Sequence, residues 1–296
     1  MASQPAVSVR LTGVVLGCVV AAGCSAATTY APPQQAVPPP GAEARRLSVP
    51  FDVYNFSPAE MTIIEDAEDV LIGDCMREQG MTWEPLPRVR QEDVEPPHRR
   101  RYGVIEPEMA RLFGYHVPAE MPSVAARRAR WDLRTEKLSP MERRAAYGDS
   151  PDGDEAGCKA RASRTRLHAA PDVDASLFNR LIDQTFDASQ RDEDVLRVFR
   201  SWSTCMKAAG ITYADPLQAI TDERWLRAAT PSPEEIRVAV ADVRCKEKTG
   251  LVPVWAEAEE RLQNDVVRDH ADQFRALKAS KDRQLETARS ILARTP

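Results

Sequence analysis

The sequence predicts a mainly α-helical exported protein in which two duplicated, disulfide-stapled helical modules follow a signal peptide and a proline-rich tether. Three observations predict this arrangement. An apolar stretch near the N-terminus ends in small residues and a cysteine, and a nine-residue motif beginning with Cys-Met occurs twice. Serine-proline pairs open segments whose apolar residues recur every three or four positions, as on one face of a helix.

Composition narrows the function classes. The 296 residues are 43% hydrophobic and 29% charged, which is ordinary for one or two globular domains. A net charge of -5 provides no excess of lysine and arginine to neutralise a phosphate backbone, so we expect no nucleic-acid partner. No run of about 18 consecutive apolar residues occurs, which argues against a polytopic membrane protein.

Residues 1–23 are predicted to be a lipoprotein signal peptide. Arg10 precedes the apolar stretch 11–22, which has the length of a signal-peptide core and is too short to span a bilayer as a helix. The sequence VAAGCS at 20–25 resembles a bacterial lipobox, in which small residues precede a cysteine that is lipidated before cleavage on its N-terminal side. The resemblance implies that a lipid on Cys24 anchors the mature protein to the outer face of the cell membrane.

Two alternatives to Cys24 remain open at the N-terminus. Cys18 is a second candidate lipobox cysteine, although it leaves a shorter apolar stretch after Arg10. Ordinary secretion with cleavage after Ala27 releases a soluble protein instead. All three predict export. Residues 24–52 are rich in proline, alanine and glutamine, so we predict a disordered, extended tether there.

A repeated motif organises the rest of the chain. The sequences CMREQGMTW at 75–83 and CMKAAGITY at 205–213 share Cys, Met, Gly and Thr at equivalent positions. Each is followed by a Cys-Lys pair, at Cys158 and at Cys245. Chance agreement over nine positions is improbable, and such a repeat indicates duplicated structure. We therefore predict two helical modules, 53–190 and 191–296.

The four cysteines of these modules are predicted to form disulfides. An exported protein lies where thiols oxidise, and four cysteines allow three pairings. Duplication favours the pairing within each module, Cys75 with Cys158 and Cys205 with Cys245. A redox or metal site is the alternative, but CxxC spacing and a nearby histidine are both lacking.

Helix boundaries follow from capping signals. Ser57, Ser139 and Ser232 are each followed by proline and, three positions on, by glutamate, which is the capping-box order. Gly80 and Gly210 stand where helices end with a left-handed residue. The first module carries an extra segment, about 85–138, whose early prolines and arginines predict an irregular insertion. This insertion is either a binding surface or a solvated loop. The second module is predicted to end in a long amphipathic helix over 253–294 with a break near Ser280.

The sequence contains no familiar catalytic or metal-binding signature. GxSxG, SxxK, HExxH, GxGxxG and Walker motifs are absent and the histidines are isolated, so we expect no metal and no cofactor. The acidic loop 149–155 is either a calcium ligand set or, as like-charged blocks usually are, a solvated loop. Asp222, Arg224 and Trp225 form a possible surface site because a tryptophan among charged residues can mark a groove. A tryptophan buried against a helix is the alternative.

The C-terminal hundred residues resemble uncharacterised exported lipoproteins of actinomycete-type, high-GC bacteria. The shared pattern is Cys-Met then Gly at 205–210, the DERW step at 222–225 and the DVRCK segment at 242–246. The resemblance implies an envelope location and disulfide bonds, and it implies no activity.

The sequence therefore predicts a cell-envelope lipoprotein with a non-catalytic binding or scaffold role. Besides the membrane, its expected partner is another envelope protein or a cell-wall component. The alternative is an exported hydrolase built on carboxylates such as Asp222 and Glu223, and a third possibility is a surface protein without a specific ligand. A perturbed carboxylate pair in a deep pocket would favour the hydrolase, and a shallow surface with satisfied ion pairs would favour binding.

Overall fold

The computed structural model describes residues 36–148, 157–168 and 173–294. These residues form α-helices and two 3-10 turns, at Pro50–Val53 and Gln91–Asp93, and contain no strand. The α-helices are, in chain order, α1 (Ala42–Arg46), α2 (Pro58–Glu78), α3 (Pro107–Phe113), α4 (Pro122–Lys137), α5 (Pro140–Tyr147), α6 (Cys158–His168), α7 (Ser176–Ser189), α8 (Glu193–Ala208), α9 (Pro216–Ile220), α10 (Glu223–Leu226), α11 (Pro233–Thr249), α12 (Leu251–Asp269) and α13 (Ala271–Ala293). The mainly α fold class is confirmed. The signal peptide, Cys24 and the acidic loop 149–155 lie outside the described residues.

Capping residues start the helices where the sequence predicts. The Ser57 hydroxyl accepts a hydrogen bond from the Glu60 amide at 3.2 Å, and the Glu60 carboxylate accepts one from the Ser57 amide at 2.9 Å. The same reciprocal box forms at the start of α5. At α11, Ser232 accepts a bond from the Glu235 amide, but the Glu235 side chain turns into the protein instead of closing the box. The Glu235 carboxylate instead accepts a buried hydrogen bond from the Tyr115 amide.

The two copies of the Cys-Met motif end their helices identically. Gly80 and Gly210 adopt φ of +72° and +73°, which a residue with a Cβ rarely adopts. The following amides, of Met81 and Ile211, each donate to the carbonyl of the motif methionine at 2.9 and 3.0 Å. This Schellman geometry satisfies carbonyls that the helix end leaves without partners.

Both predicted disulfides are present in the structure. Cys75 of α2 is bonded to Cys158 of α6, and Cys205 of α8 is bonded to Cys245 of α11. Each bond therefore links a helix that carries the Cys-Met motif to one that carries a Cys-Lys pair.

The most extensive apolar cluster of the described residues lies between α8, α11 and α12. Trp202 and Trp255 are fully buried at its centre. Residues 98–116, here called the strap, pack onto this cluster with the buried side chains of Tyr102 and Tyr115. The strap precedes these helices by about a hundred residues and belongs by sequence to the predicted first module. Conversely, the C-terminal helix α13, which belongs by sequence to the predicted second module, packs along α2 of the predicted first module.

Residues 36–52 correct the predicted tether. Within this stretch α1 buries Ala44, and the 3-10 turn buries Phe51. The Phe51 ring lies 5.3 Å from the rings of Phe178 and of Phe274, and its amide donates to Gln263 at 3.0 Å. Burial of this aromatic ring against α7 and α13 removes a large apolar surface from water, and Ala44 and Val49 add further buried contacts, so this segment is packed onto the helices.

Two helical predictions also need correction. The insertion 85–138 is not irregular throughout, because it contains α3 and α4, each begun by a proline at its first position. The C-terminal helix breaks at His270, with φ -118° and ψ 32°, and Ser280 lies buried within α13. The break lets α12 pack on α7 and α8 while α13 packs on α2. None of the helices among the described residues is long and apolar enough to cross a membrane.

Candidate functional site

The surface site predicted from sequence is a closed network of ion pairs. Asp222 caps α10 by accepting from the Arg224 amide at 2.9 Å, and its carboxylate also accepts from the Arg224 side chain. The Tyr213 hydroxyl donates to Asp222 at 2.7 Å, and Arg224 reaches Glu234 at 2.7 Å. The shallow depression beside this network has a volume of about 280 Å³.

Trp225 belongs to the core and not to the surface. Its side chain is buried, its indole N–H donates to the Ala219 carbonyl at 2.8 Å, and its ring stacks on Tyr115 at 5.6 Å. The alternative of a tryptophan buried beneath a helix is therefore correct. Of the three candidates, only Asp222 and Arg224 face the depression.

Asp222 does not have the properties of a catalytic acid. Hydrogen bonds from Arg224 lower the pKa of the Asp222 carboxyl to about 2, so this group is ionised throughout the neutral range. Its neighbour Glu223 is largely exposed and pairs with Arg227. Each of the two carboxylates is paired with its own arginine, and Asp222 lacks the pKa near the working pH that acid–base catalysis needs.

Three buried carboxylates hold the strap, and sequence reasoning missed all of them. Asp242 accepts hydrogen bonds from the Trp202 indole at 2.9 Å, the Lys246 ammonium at 2.9 Å and the Tyr115 hydroxyl at 3.2 Å. Lys246 also donates to the strap carbonyl of Val104 at 3.0 Å. Burial raises the pKa of Tyr115, which keeps its hydroxyl a donor. The signal in the sequence was the one-turn spacing of Asp242 and Lys246 in the DVRCK segment.

Glu259 holds the strap from α12. Its fully buried carboxylate accepts from the Arg101 guanidinium at 2.8 Å, the Tyr102 hydroxyl at 2.9 Å and the Gln263 amide at 2.8 Å. An ionised carboxylate loses its hydration shell on burial, and the free-energy cost of that loss is offset only when hydrogen-bond partners such as these take the place of the water molecules.

Glu235 holds the end of the strap from α11. It accepts from the Tyr115 amide at 2.8 Å and from the His116 ring at 2.7 Å. Gly114, at φ +56°, passes so close that a Cβ there would lie 2.6 Å from a Glu235 carboxylate oxygen. The three carboxylates are enclosed, and they act as clamps between the strap and the helices.

A groove between α2 and α4 is the candidate binding site. Its volume is about 650 Å³, within the range of roughly 300–1,000 Å³ typical of small-ligand sites. We call it the α2–α4 groove. It is lined by Met61, Glu65, Glu68, Asp69, Ile72, Leu86, Val124, Arg127, Arg128, Trp131, Arg134, Tyr147 and Lys159.

Long arginine side chains connect the two walls of this groove. Arg127 and Arg134 are the buried residues of α4. Arg127 donates to Asp66 of α2 at 2.6 Å, and Arg134 donates to Asp69 at 2.7 Å. The guanidinium groups of these two arginines therefore link α4 to α2 within the groove.

Trp131 lies between these arginines on the same face of α4, yet its side chain is 45% exposed. The wall beside it is fixed by stacking and hydrogen bonding. The Arg134 guanidinium carbon lies 3.9 Å from the centre of the Trp83 ring, and the Trp83 indole donates to Asp69 at 3.1 Å. An exposed indole therefore lines a groove whose neighbouring groups are held in place.

The charges along the groove are only partly neutralised. Burial raises the pKa of the Glu65 carboxyl, and its neighbours Asp66 and Glu68 raise it further, while Arg127 opposes them. Glu68 and Lys159 form no ion pair with the residues that the structure describes. The same residues contain no cluster of three or more metal-ligating side chains.

The fold and this groove define an α-helical, disulfide-linked protein with an open surface site. No family model matches the chain, and no curated protein and no solved structure is similar to it.

Proposed function

We propose that this protein is a lipoprotein of the cell envelope, held on the outer face of the cytoplasmic membrane by a lipid on Cys24. The observation that carries the proposal is the pair of disulfides, Cys75–Cys158 and Cys205–Cys245. Disulfides form and persist in oxidising compartments, so they support an extracytoplasmic location for the folded body. The lipobox-like segment 20–25 and the resemblance to exported lipoproteins of high-GC, actinomycete-type bacteria support the anchor.

We further propose that its body arose by duplication of one helical module. The two copies of the Cys-Met motif support this, since each ends its helix in the same Schellman geometry. Each motif cysteine is also joined to a Cys-Lys helix.

Within the envelope, we propose a non-catalytic binding or scaffold role, with an envelope protein or a cell-wall component as partner. The α2–α4 groove supports binding because it is open, has the volume of a small-ligand site and carries an exposed aromatic ring. The hydrolase alternative gains no support from Asp222, whose low pKa leaves it without a proton to donate.

The anchor is tested by fractionating native-host cells and measuring the intact mass of the membrane-bound protein. We expect the mass of the chain from Cys24 plus a lipid, and a gain of about 4 Da on reduction, two hydrogens for each disulfide. Cys24→Ser should release the protein or leave the precursor uncleaved. The matched control Cys18→Ser should remain membrane-bound. An unlipidated mass beginning at residue 28, or loss of anchoring in the control alone, would contradict the proposal.

A further inference from the structure

We propose that the α2–α4 groove binds a short extended peptide with a free amino end and a free carboxyl end. This inference rests on the proposed binding function and names its ligand class. It is argued from the length of the groove, the position of its unneutralised charges and its apolar lining.

The first argument is the order of charges along the groove. Glu65 and Glu68 lie one turn apart on α2, toward its N-terminal half. Lys159 follows Cys158, which is bonded to Cys75, so this lysine lies beyond Ile72 at the other end. The groove is therefore negative at one end and positive at the other.

The arginines of the groove do not alter this polarity. Arg127 is paired with Asp66, Arg134 with Asp69, and Arg128 with Glu120 outside the groove. Glu65 is only 3.9 Å from the Arg127 side chain, but Arg127 makes its short contact with Asp66. The charges left to a ligand are thus the two glutamates and the lysine.

The second argument is chemical complementarity at each end. Glu65 and Glu68 attract an ammonium group, and the exposed indole of Trp131, which lines the same groove, attracts cations through its ring face. A carboxylate is the natural partner of Lys159. Between the ends, the side chains of Ile72, Leu86 and Val124 suit an apolar side chain.

The third argument is length. Glu65 and Ile72 are seven residues apart on α2, about 10 Å along the helix axis. An extended chain advances about 3.3 Å per residue, so a segment of about three residues spans this distance.

Titration calorimetry with the full-length chain in detergent tests the proposal. The probe is the tripeptide alanyl-leucyl-alanine with free ends, compared with its N-acetylated and its C-amidated forms. Glu68→Gln should weaken binding of the free tripeptide about tenfold and leave the affinity of the N-acetylated form unchanged. Lys159→Met should likewise weaken binding of the free tripeptide about tenfold and leave the affinity of the C-amidated form unchanged.

Two further variants separate binding from folding. Trp131→Ala removes the exposed ring and should abolish measurable binding while the helical circular dichroism is retained. Glu78→Gln, on the same helix but outside the groove, should bind as the wild type does. Equal effects of Glu68→Gln on the free and acetylated peptides would overturn the proposal, as would failure of every peptide to bind.

A linear saccharide is the competing ligand class. Binding of chitotriose in the groove, lost in Trp131→Ala, with no peptide binding, would overturn the peptide assignment and leave the proposed binding function standing. Membrane anchoring is measured separately through Cys24, so failure of either proposal is distinguishable from failure of the other.

Discussion

His116 Nδ1 lies 2.7 Å from the Glu235 carboxylate, and Nε2 of the same ring lies 2.9 Å from the Ala228 carbonyl. Both ring nitrogens thus face acceptors, and only the doubly protonated imidazolium donates to both. Partial burial and the nearby Arg100 oppose the charged form, but the two acceptors prevail and raise the pKa of His116. The end of the strap is therefore attached to α11 by a histidine whose charged form this site favours.

This contact makes folding stability depend on pH. Because the folded pKa of His116 is raised, its contribution is complete below the unfolded value of about 6.5 and is lost as pH rises through the folded value. We expect His116→Gln to destabilise the protein on the order of 1 kcal/mol at acidic pH. The difference from the wild type should shrink above neutrality. Urea unfolding between pH 5 and 9 measures it.

The matched control is His270→Gln, at the break between α12 and α13. It replaces a histidine that lies away from the strap, and its free energy of unfolding is measured over the same pH range. A wild-type advantage over His116→Gln that grows toward alkaline pH would show that the ring binds as the neutral form.

Local signals explain what the sequence predicts well in this protein. Signals within a few residues specify the helix starts at Ser57 and Ser139 and the glycines that end the helices of the two Cys-Met motifs. The repeated motif favours the observed pairing of the four cysteines. Those features need no knowledge of distant contacts. They place the helices along the chain, but not in space.

Long-range contacts explain what the sequence does not show. Glu235 has the position of a capping-box glutamate, and only the distant strap draws its side chain inward. The face of α4 that points to the groove carries Arg127 and Arg134, so a search for apolar periodicity assigns that face to solvent. The groove and its exposed Trp131 were missed for this reason.

Asp242 and Lys246 form a buried ion pair whose partners depend on each other. Lys246→Met leaves the Asp242 carboxylate without its cation, and we expect a loss of about 3–5 kcal/mol. Asp242→Asn leaves the buried ammonium without its anion and should be similarly costly. The double variant leaves neither charge alone, so its loss should be smaller than the sum by about 1–3 kcal/mol.

Chemical denaturation of the wild type, both single variants and the double variant gives this coupling energy directly. Lys248→Met, an exposed position two residues further along the same helix, serves as the control and should change stability by less than about 0.5 kcal/mol. Additive losses in the double variant would mean that the two charges are stabilised independently, by Val104 and Trp202 and not by each other.

The two disulfides should differ in what their removal unfolds. They close segments of 83 and 40 residues, worth about 4.5 and about 4 kcal/mol in the chain-entropy model. Cys245 is embedded in the extensive cluster around Trp202, so packing retains α8 against α11 when the bond is removed. The contact of α6 with α2 belongs to a smaller cluster, to which α6 contributes only the buried side chains of Cys158 and Ala162.

We therefore expect Cys75→Ala/Cys158→Ala to lose hydrogen-exchange protection in α6 while α8 and α11 remain protected. Cys205→Ala/Cys245→Ala should instead lower the protection of all helices together, because its loss destabilises the shared core without detaching one element. Mass-resolved hydrogen exchange of the two double variants distinguishes these patterns. Retained protection of α6 in the first variant would show that its other contacts suffice to hold it, among them the ion pair of Arg161 with Glu78 and the hydrogen bond from Arg166 to Gln284 of α13.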